Sequence, residues 1–168
     1  VGLCVEDGTQ VQVGDVVCEI HGNARHVLAG ERTALNFLQR LSGIATMTRQ
    51  FVDIVEGTNT SILDTRKTTP AWRPLEKYAV KMGGGQNHRM GLYDEVLIKD
   101  NHIDAAGSIT AAVNAVHQHV AGSVPIVVEV KDQHELHEAL SLNITRILLD
   151  NMTVDEMREA VRMTNGKM

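Results

Sequence analysis

Residues 61–102 read SILDTRKTTPAWRPLEKYAVKMGGGQNHRMGLYDEVLIKDNH, and this stretch decides the fold. Two short apolar runs, Ile62-Leu63 and Val96-Leu97-Ile98, each end in a polar cluster. The first cluster is Asp64-Thr65-Arg66-Lys67-Thr68-Thr69 and the second is Lys99-Asp100-Asn101-His102. Between them a helix is expected near 74–82, with Pro74 in its first turn and glycine after its end. It runs into Gly83-Gly84-Gly85 and then Gln86-Asn87-His88-Arg89. The order is strand, helix, loop, strand, with polar groups at the strand C-terminal ends, where α/β folds bind ligands. Arg66, Lys67, Arg89 and Lys99 fall there, with His88 and His102 beside them. Like charges repel unless an anion joins them, so the cluster predicts an anionic ligand.

The alternation continues downstream. A helix near 108–120 has Ser108 as its N-cap, and a strand near 125–130 precedes a helix from Asp132. A strand near 146–149 precedes a helix after Thr153. Asp132-x-x-Glu135 and Thr153-x-x-Glu156 both read as capping boxes. The apolar runs Ile126-Val127-Val128 and Ile147-Leu148-Leu149 suit strands buried on both faces. With strands near 61–65 and 95–99 counted, there are four strand–helix pairs, which predict parallel pairing. An eight-stranded barrel needs about 200–250 residues, so four pairs predict an α/β chain holding an incomplete (β/α) barrel.

Upstream, residues 1–28 read as short strands and turns, with turn signals at Asp7-Gly8 and Gly14-Asp15. The Asp-Gly-x-x-Val-x-x-Gly-Asp pattern at 7–15 is similar to biotinyl and lipoyl carrier half-barrels. Lys81-Met82 is the nearest echo of their modified lysine, but it lies in a helical stretch. A helix is expected from Glu31, with Ala34, Leu38, Leu41, Ala45, Val52 and Val55 forming one buried stripe. Ser42-Gly43 is expected to kink or split it. Arg32 then falls in the first turn, where the helix dipole disfavours a cation.

A net charge of −5 argues against a general nucleic-acid binder, so the cation cluster is local and suits a small anion. No apolar run is long enough to span a membrane. Cys4 and Cys18 show no metal spacing and no disulfide framework, so a reducing compartment is expected. The expected location is the cytoplasm, or an organelle if a leader preceded Val1.

Several motifs together resemble the quinolinate phosphoribosyltransferase family. They are Glu31-Arg32-Thr33-Ala34-Leu35-Asn36, Asp-Thr-Arg-Lys-Thr at 64–68 and Glu76-Lys77-Tyr78-Ala79. Gly-Gly-Gly at 83–85, Asn87-His88-Arg89, Ile98-Lys99-Asp100-Asn101-His102 and Leu149-Asp150-Asn151 complete the set, which covers nearly the whole chain. The resemblance implies a division into residues 1–34, the end of a small α/β sandwich-like N-terminal domain, and 35–168, the first four βα units of a barrel. It further implies that the chain is an internal segment of a longer enzyme and inactive alone.

The implied reaction joins quinolinate to phosphoribosyl pyrophosphate, displaces pyrophosphate and loses the 2-carboxylate as CO2, giving nicotinate mononucleotide. Two carboxylates and a pyrophosphate demand several fixed cations, and arginine and lysine meet them differently. The resemblance assigns substrate contacts to Thr65, Arg66, Lys67, His88, Arg89, Lys99, Glu129 and Asp150, and to Arg32 donated by a partner subunit in a homodimer or higher even oligomer. Lys67, Lys99, Glu129 and Asp150 are the implied catalytic set. The resemblance places Glu129 and Asp150 beneath the ribose, where carboxylates would stabilise developing positive charge and hold Mg2+ brought with phosphoribosyl pyrophosphate. No organic cofactor, nucleic acid or membrane partner is implied. Val127 and Lys131 stand where the family often has acids. Arg73, Lys77 and Lys81 read as solvated cations on or before a helix.

Three other readings compete. His134-Glu135-Leu136-His137 is one residue short of the zinc-hydrolase motif His-Glu-x-x-His. A related transferase acting on a pyridine acid with one carboxylate would need fewer cations than Arg32, Arg66, Lys67, Arg89 and Lys99 supply. A non-catalytic binding or assembly segment is the third.

Overall fold

The computed structural model describes residues 1–120 and 124–166. It divides into two compact units, Val1–Met90 and Gly91–Met168.

The first unit opens with β1 (Gly2–Leu3) paired antiparallel to β2 (Cys18–Glu19). The turns expected between them bring Gly8 and Gly14 to φ of 84° and 98°, a conformation that a side chain disfavours. Helix α1 (Ala24–Ile54) starts earlier than the expected Glu31, because Asn23 Oδ1 accepts the Arg25 N–H at 3.0 Å and caps it. It runs unbroken through Ser42-Gly43, where the sequence predicts a kink or split. One interior glycine costs only about 1 kcal/mol, too little to end a long packed helix. Arg32 therefore lies in the helix interior, not in its first turn.

The α1 stripe is only partly buried. Leu38 is 46% exposed, while Thr48 is the one buried residue of the helix. Packing is against α2 (Arg73–Met82), which has Pro74 in its first turn and Gly83 as C-cap. The two helices approach closely at Gly83, where a Cβ would lie 2.4 Å from the Ala45 carbonyl oxygen. The strand expected near 61–65 shrinks to a single parallel bridge, Leu63 to Gln86. Two backbone bonds, Gln86 N–H to Ile62 and Asp64 N–H to Gln86, are all that form. The run is two apolar residues long, and side-chain bonds to Asp64 and Thr65 take over beyond it.

The second unit is a parallel sheet with helices. Strands β3 (Val96–Ile98), β4 (Ile126–Val130) and β5 (Arg146–Leu149) lie in chain order, with Ile98 opposite Val128 and Val130 opposite Leu149. The α/β class holds, with three of the four expected strands in one parallel sheet. A short helix, α3 (Asp100–Ala106), occupies the expected polar cluster after β3. It is followed by α4 (Ile109–His119), α5 (Gln133–Ala139) and α6 (Val154–Thr164).

The caps are largely as expected. Ser108 Oγ accepts the Ala111 N–H at 3.0 Å, and Thr153 with Glu156 forms a full capping box. Asp132 caps α5, but Glu135 reaches the Lys131 N–H and not that of Asp132, so this box is only half formed. No helix of the described residues is long and apolar enough to cross a membrane.

Alternation along the strands sorts their side chains. Ile98, Ile126, Val128 and Val130 join Ile109 and Val113 of α4, Leu136 of α5 and Ala160 of α6 in one core. Each fully buried aliphatic side chain there contributes about 1.5–3 kcal/mol. Lys99, Glu129 and Asp150 alternate onto the opposite face.

Candidate active site

Three predicted residues fall on that opposite sheet face, towards its C-terminal edge. Lys99 follows β3, Glu129 lies within β4 and Asp150 follows β5. Lys99 Nζ stands 3.4 Å from Glu129 Oε2. Glu129 is the more enclosed, with its side chain 15% exposed against 40% for Lys99. Asp150 Oδ2 accepts the Asn151 amide at 2.9 Å, and Asn151 takes a left-handed φ of 51°. The Asp150 N–H donates to the Val130 carbonyl, which prolongs the ladder just beyond β5. A lysine thus stands beside one carboxylate at the end of neighbouring parallel strands, with a second carboxylate one strand further.

The other predicted residues belong to the first unit. Thr65, Arg66 and Lys67 form a loop in which Thr65 Oγ1 accepts the Lys67 N–H at 3.0 Å. Lys67 is exposed; Arg66 is half-buried, and its Nε has no hydrogen-bond partner among the described residues. His88 and Arg89 are half-buried on the segment that the Leu63–Gln86 bridge brings alongside. His88 Nδ1 accepts the Arg89 N–H at 2.8 Å, so a neutral ring carries its proton on Nε2. Arg32 is exposed on α1 and makes no hydrogen bond or ion pair with the described residues. His102 Nδ1 accepts the Lys99 N–H at 3.0 Å and so serves as an α3 cap.

A brace under the loop was not foreseen. Arg73, expected to be solvated, donates to Thr68 Oγ1 at 3.2 Å, to the Arg66 carbonyl at 3.3 Å and to the Met90 carbonyl at 3.2 Å. Lys77, expected likewise, is buried and bonded to Asp64. Only Lys81 of the three is exposed. Glu76 accepts Arg40 at 2.6 Å and the Thr69 N–H at 3.2 Å. Arg40 also lies over the Trp72 ring, which stacks on Phe37 at 4.6 Å. The one hint in the sequence was the Glu76-Lys77-Tyr78-Ala79 motif, because neither periodicity nor charge marks these residues.

The Arg40 hydrogen bond holds the Glu76 carboxyl below the ordinary glutamate range, helped by Thr69 and opposed by burial. A lowered folded-state pKa stabilises the fold above the ordinary value of 4.5 and is lost as pH falls below it. Glu76→Gln is therefore expected to cost about 1–2 kcal/mol at neutral pH, held down by the half-exposed Arg40. The gap to the parent protein should narrow as urea midpoints are followed into acid. Equal midpoints at neutral pH would deny the brace any energetic role.

The zinc reading finds no geometry. Among the described residues no three His, Cys, Asp or Glu side chains converge, and His134 and His137 are exposed.

Comparison with known proteins gives a consistent picture. Residues 1–42 match the model of the quinolinate phosphoribosyl transferase N-terminal domain, and residues 44–168 match that of its C-terminal domain. The unbroken α1 spans both. A probable nicotinate-nucleotide pyrophosphorylase (carboxylating) of Bacillus subtilis is 48% identical over 159 residues, which cover 95% of this chain and 55% of that protein. A quinolinate phosphoribosyltransferase (decarboxylating) of Nicotiana tabacum is 41% identical over 181 residues, covering 97% of this chain and 51% of that protein. The crystal structure of NadC from Streptococcus pyogenes superposes with a TM-score of 0.92 at 41% identity, covering 98% of this chain and 57% of that one. The chain spans about half the length of the curated relatives it matches. With both domain models matched along it, the chain belongs to the quinolinate phosphoribosyl transferase family.

Proposed function

We propose that the chain is part of an enzyme that transfers phosphoribosyl from phosphoribosyl pyrophosphate to quinolinate. The C1–O bond to pyrophosphate breaks, the ring nitrogen bonds to C1, the 2-carboxylate leaves as CO2 and C2 takes a proton. The observation that supports this reading is the Lys99–Glu129 pair at the C-terminal ends of neighbouring parallel strands in a member of this family, with Asp150 after the next strand. Glu129, enclosed and pre-aimed beside Lys99, stabilises positive charge developing on the ribose. Lys99 and Lys67 balance the carboxylates and phosphates as point charges, while Arg66 and Arg89 offer planar forks to a carboxylate. The unspent Arg66 Nε donor fits that role.

Mg2+ fits the donor set. Glu129 and Asp150 are hard oxygen ligands on one face, too few for a protein-only cage and suited to a cation that also takes substrate phosphate oxygens. Bound there, the ion would supply charge neutralisation on the pyrophosphate. Arg32, exposed and without a partner among the described residues, suits donation to a second copy in a homodimer or higher even oligomer. Free Cys4 and Cys18 suit a reducing compartment such as the cytoplasm.

Arg89→Lys in the full-length protein is expected to weaken quinolinate binding by about 1.5–3 kcal/mol, because lysine cannot form the fork. Isothermal titration with quinolinate checks this. Unchanged affinity would remove Arg89 from the substrate site.

A further inference from the structure

Lys77 is the largest fully buried side chain of the described residues. Its ammonium donates to Asp64 Oδ1 and, at 2.8 Å, to the His88 carbonyl. Asp64 is itself only 5% exposed, and the same Oδ1 accepts the His88 N–H at 2.8 Å. With its amide nitrogen turned inward, Asn87 donates to Asp64 Oδ2 at 2.9 Å and to the Lys77 carbonyl at 3.0 Å. Lysine and aspartate together therefore grip both backbone polar groups of His88.

Removing two charges from water is costly, and apolar residues of like volume commonly give equal or greater stability. What apolar residues cannot supply is fixed direction, which a fully satisfied polar network does supply. The direction matters at His88, because its Nδ1 is taken by the Arg89 N–H and its ring therefore presents Nε2–H as a donor. The grip on the His88 backbone thus sets where both that ring and the following arginine begin.

We propose that Lys77 and Asp64 are positioning residues for quinolinate recognition: by clamping the His88 backbone they aim the His88 and Arg89 donors at the diacid. This rests on the function proposed above. The pair acts through other residues and touches no substrate. Its loss is felt in quinolinate affinity and not in the handling of phosphoribosyl pyrophosphate.

The test is the double variant Asp64→Asn, Lys77→Met in the full-length protein. Asparagine still accepts the His88 N–H and methionine fills the lysine stem, so the fold is expected to survive. Quinolinate affinity should fall about tenfold or more, the scale of one hydrogen bond to a charged group, while the KM for phosphoribosyl pyrophosphate and the urea midpoint stay close to the parent values. A merely structural pair would move the midpoint or both substrates together, and either result overturns the proposal. So does quinolinate affinity within about twofold of the parent in a folded variant, well inside the effect of one such bond. If the double variant does not fold, Lys77→Arg keeps the charge and displaces the donor, and is expected to show the same selective loss; unchanged quinolinate affinity there overturns the proposal. A parent protein that binds no quinolinate overturns the functional reading itself, and the proposal with it.

Discussion

On the proposed function, Glu129→Gln in the full-length protein is expected to lower kcat about 100- to 1,000-fold, the usual loss when one fixed group aimed at developing charge is removed. Glutamine keeps the volume of the side chain and removes its charge. Glu129 lies inside β4, between the buried Val128 and Val130, so its position is set by a strand and not by a loop. Its Oε2 lies 3.4 Å from Lys99 Nζ, and its side chain is 15% exposed, so its field is screened less than that of a surface acid. Quinolinate binding should change little, because in the proposed role the carboxylate stabilises ribose charge that exists only in the transition state. Steady-state kinetics with both substrates, read beside the unfolding midpoint, checks this. A kcat near the parent value would place Glu129 away from the reacting sugar.

The second large effect concerns assembly. Arg32→Ala and Lys99→Ala should each abolish nearly all activity, yet recover about one quarter of it when mixed as dimers with free subunit exchange. If each site draws Lys99 from one chain and Arg32 from the other, every mixed dimer contains one intact site and one doubly impaired site. Half the dimers in a random mixture are mixed, which gives the quarter. Arg32 is exposed on α1 with no partner among the described residues, as a residue reaching another chain must be. No recovery, with exchange confirmed independently, would return Arg32 to its own chain.

The alternating half of the fold was legible because its signals are local. Ser108, Asp132 and Thr153 are N-caps in the structure as in the sequence, and Arg146–Leu149 matches its expected strand. Once Val128 and Val130 face the core, a period of two carries Lys99, Glu129 and Asp150 to the other face. What stayed hidden depends on partners far along the chain. Lys77 reads as a solvated helix cation until Asp64, thirteen positions upstream, is brought against it. Arg73 likewise needs the carbonyls of Arg66 and Met90, which no pattern announces. The expected strand at 61–65 failed for the opposite reason: its side chains belong to the loop and its brace, so only one bridge remains. α3 was missed because Asp100-Asn101-His102 resembles a loop, although His102 caps the helix by accepting the Lys99 N–H.

The most direct test follows the carbon that leaves. Full-length protein is given phosphoribosyl pyrophosphate with equal amounts of nicotinate and of quinolinate labelled in its 2-carboxylate, and nicotinate mononucleotide and labelled CO2 are both counted. The proposed function predicts that the diacid alone is consumed, with one labelled CO2 for each nucleotide formed. Nucleotide appearing without labelled CO2, drawn from nicotinate, would contradict that account.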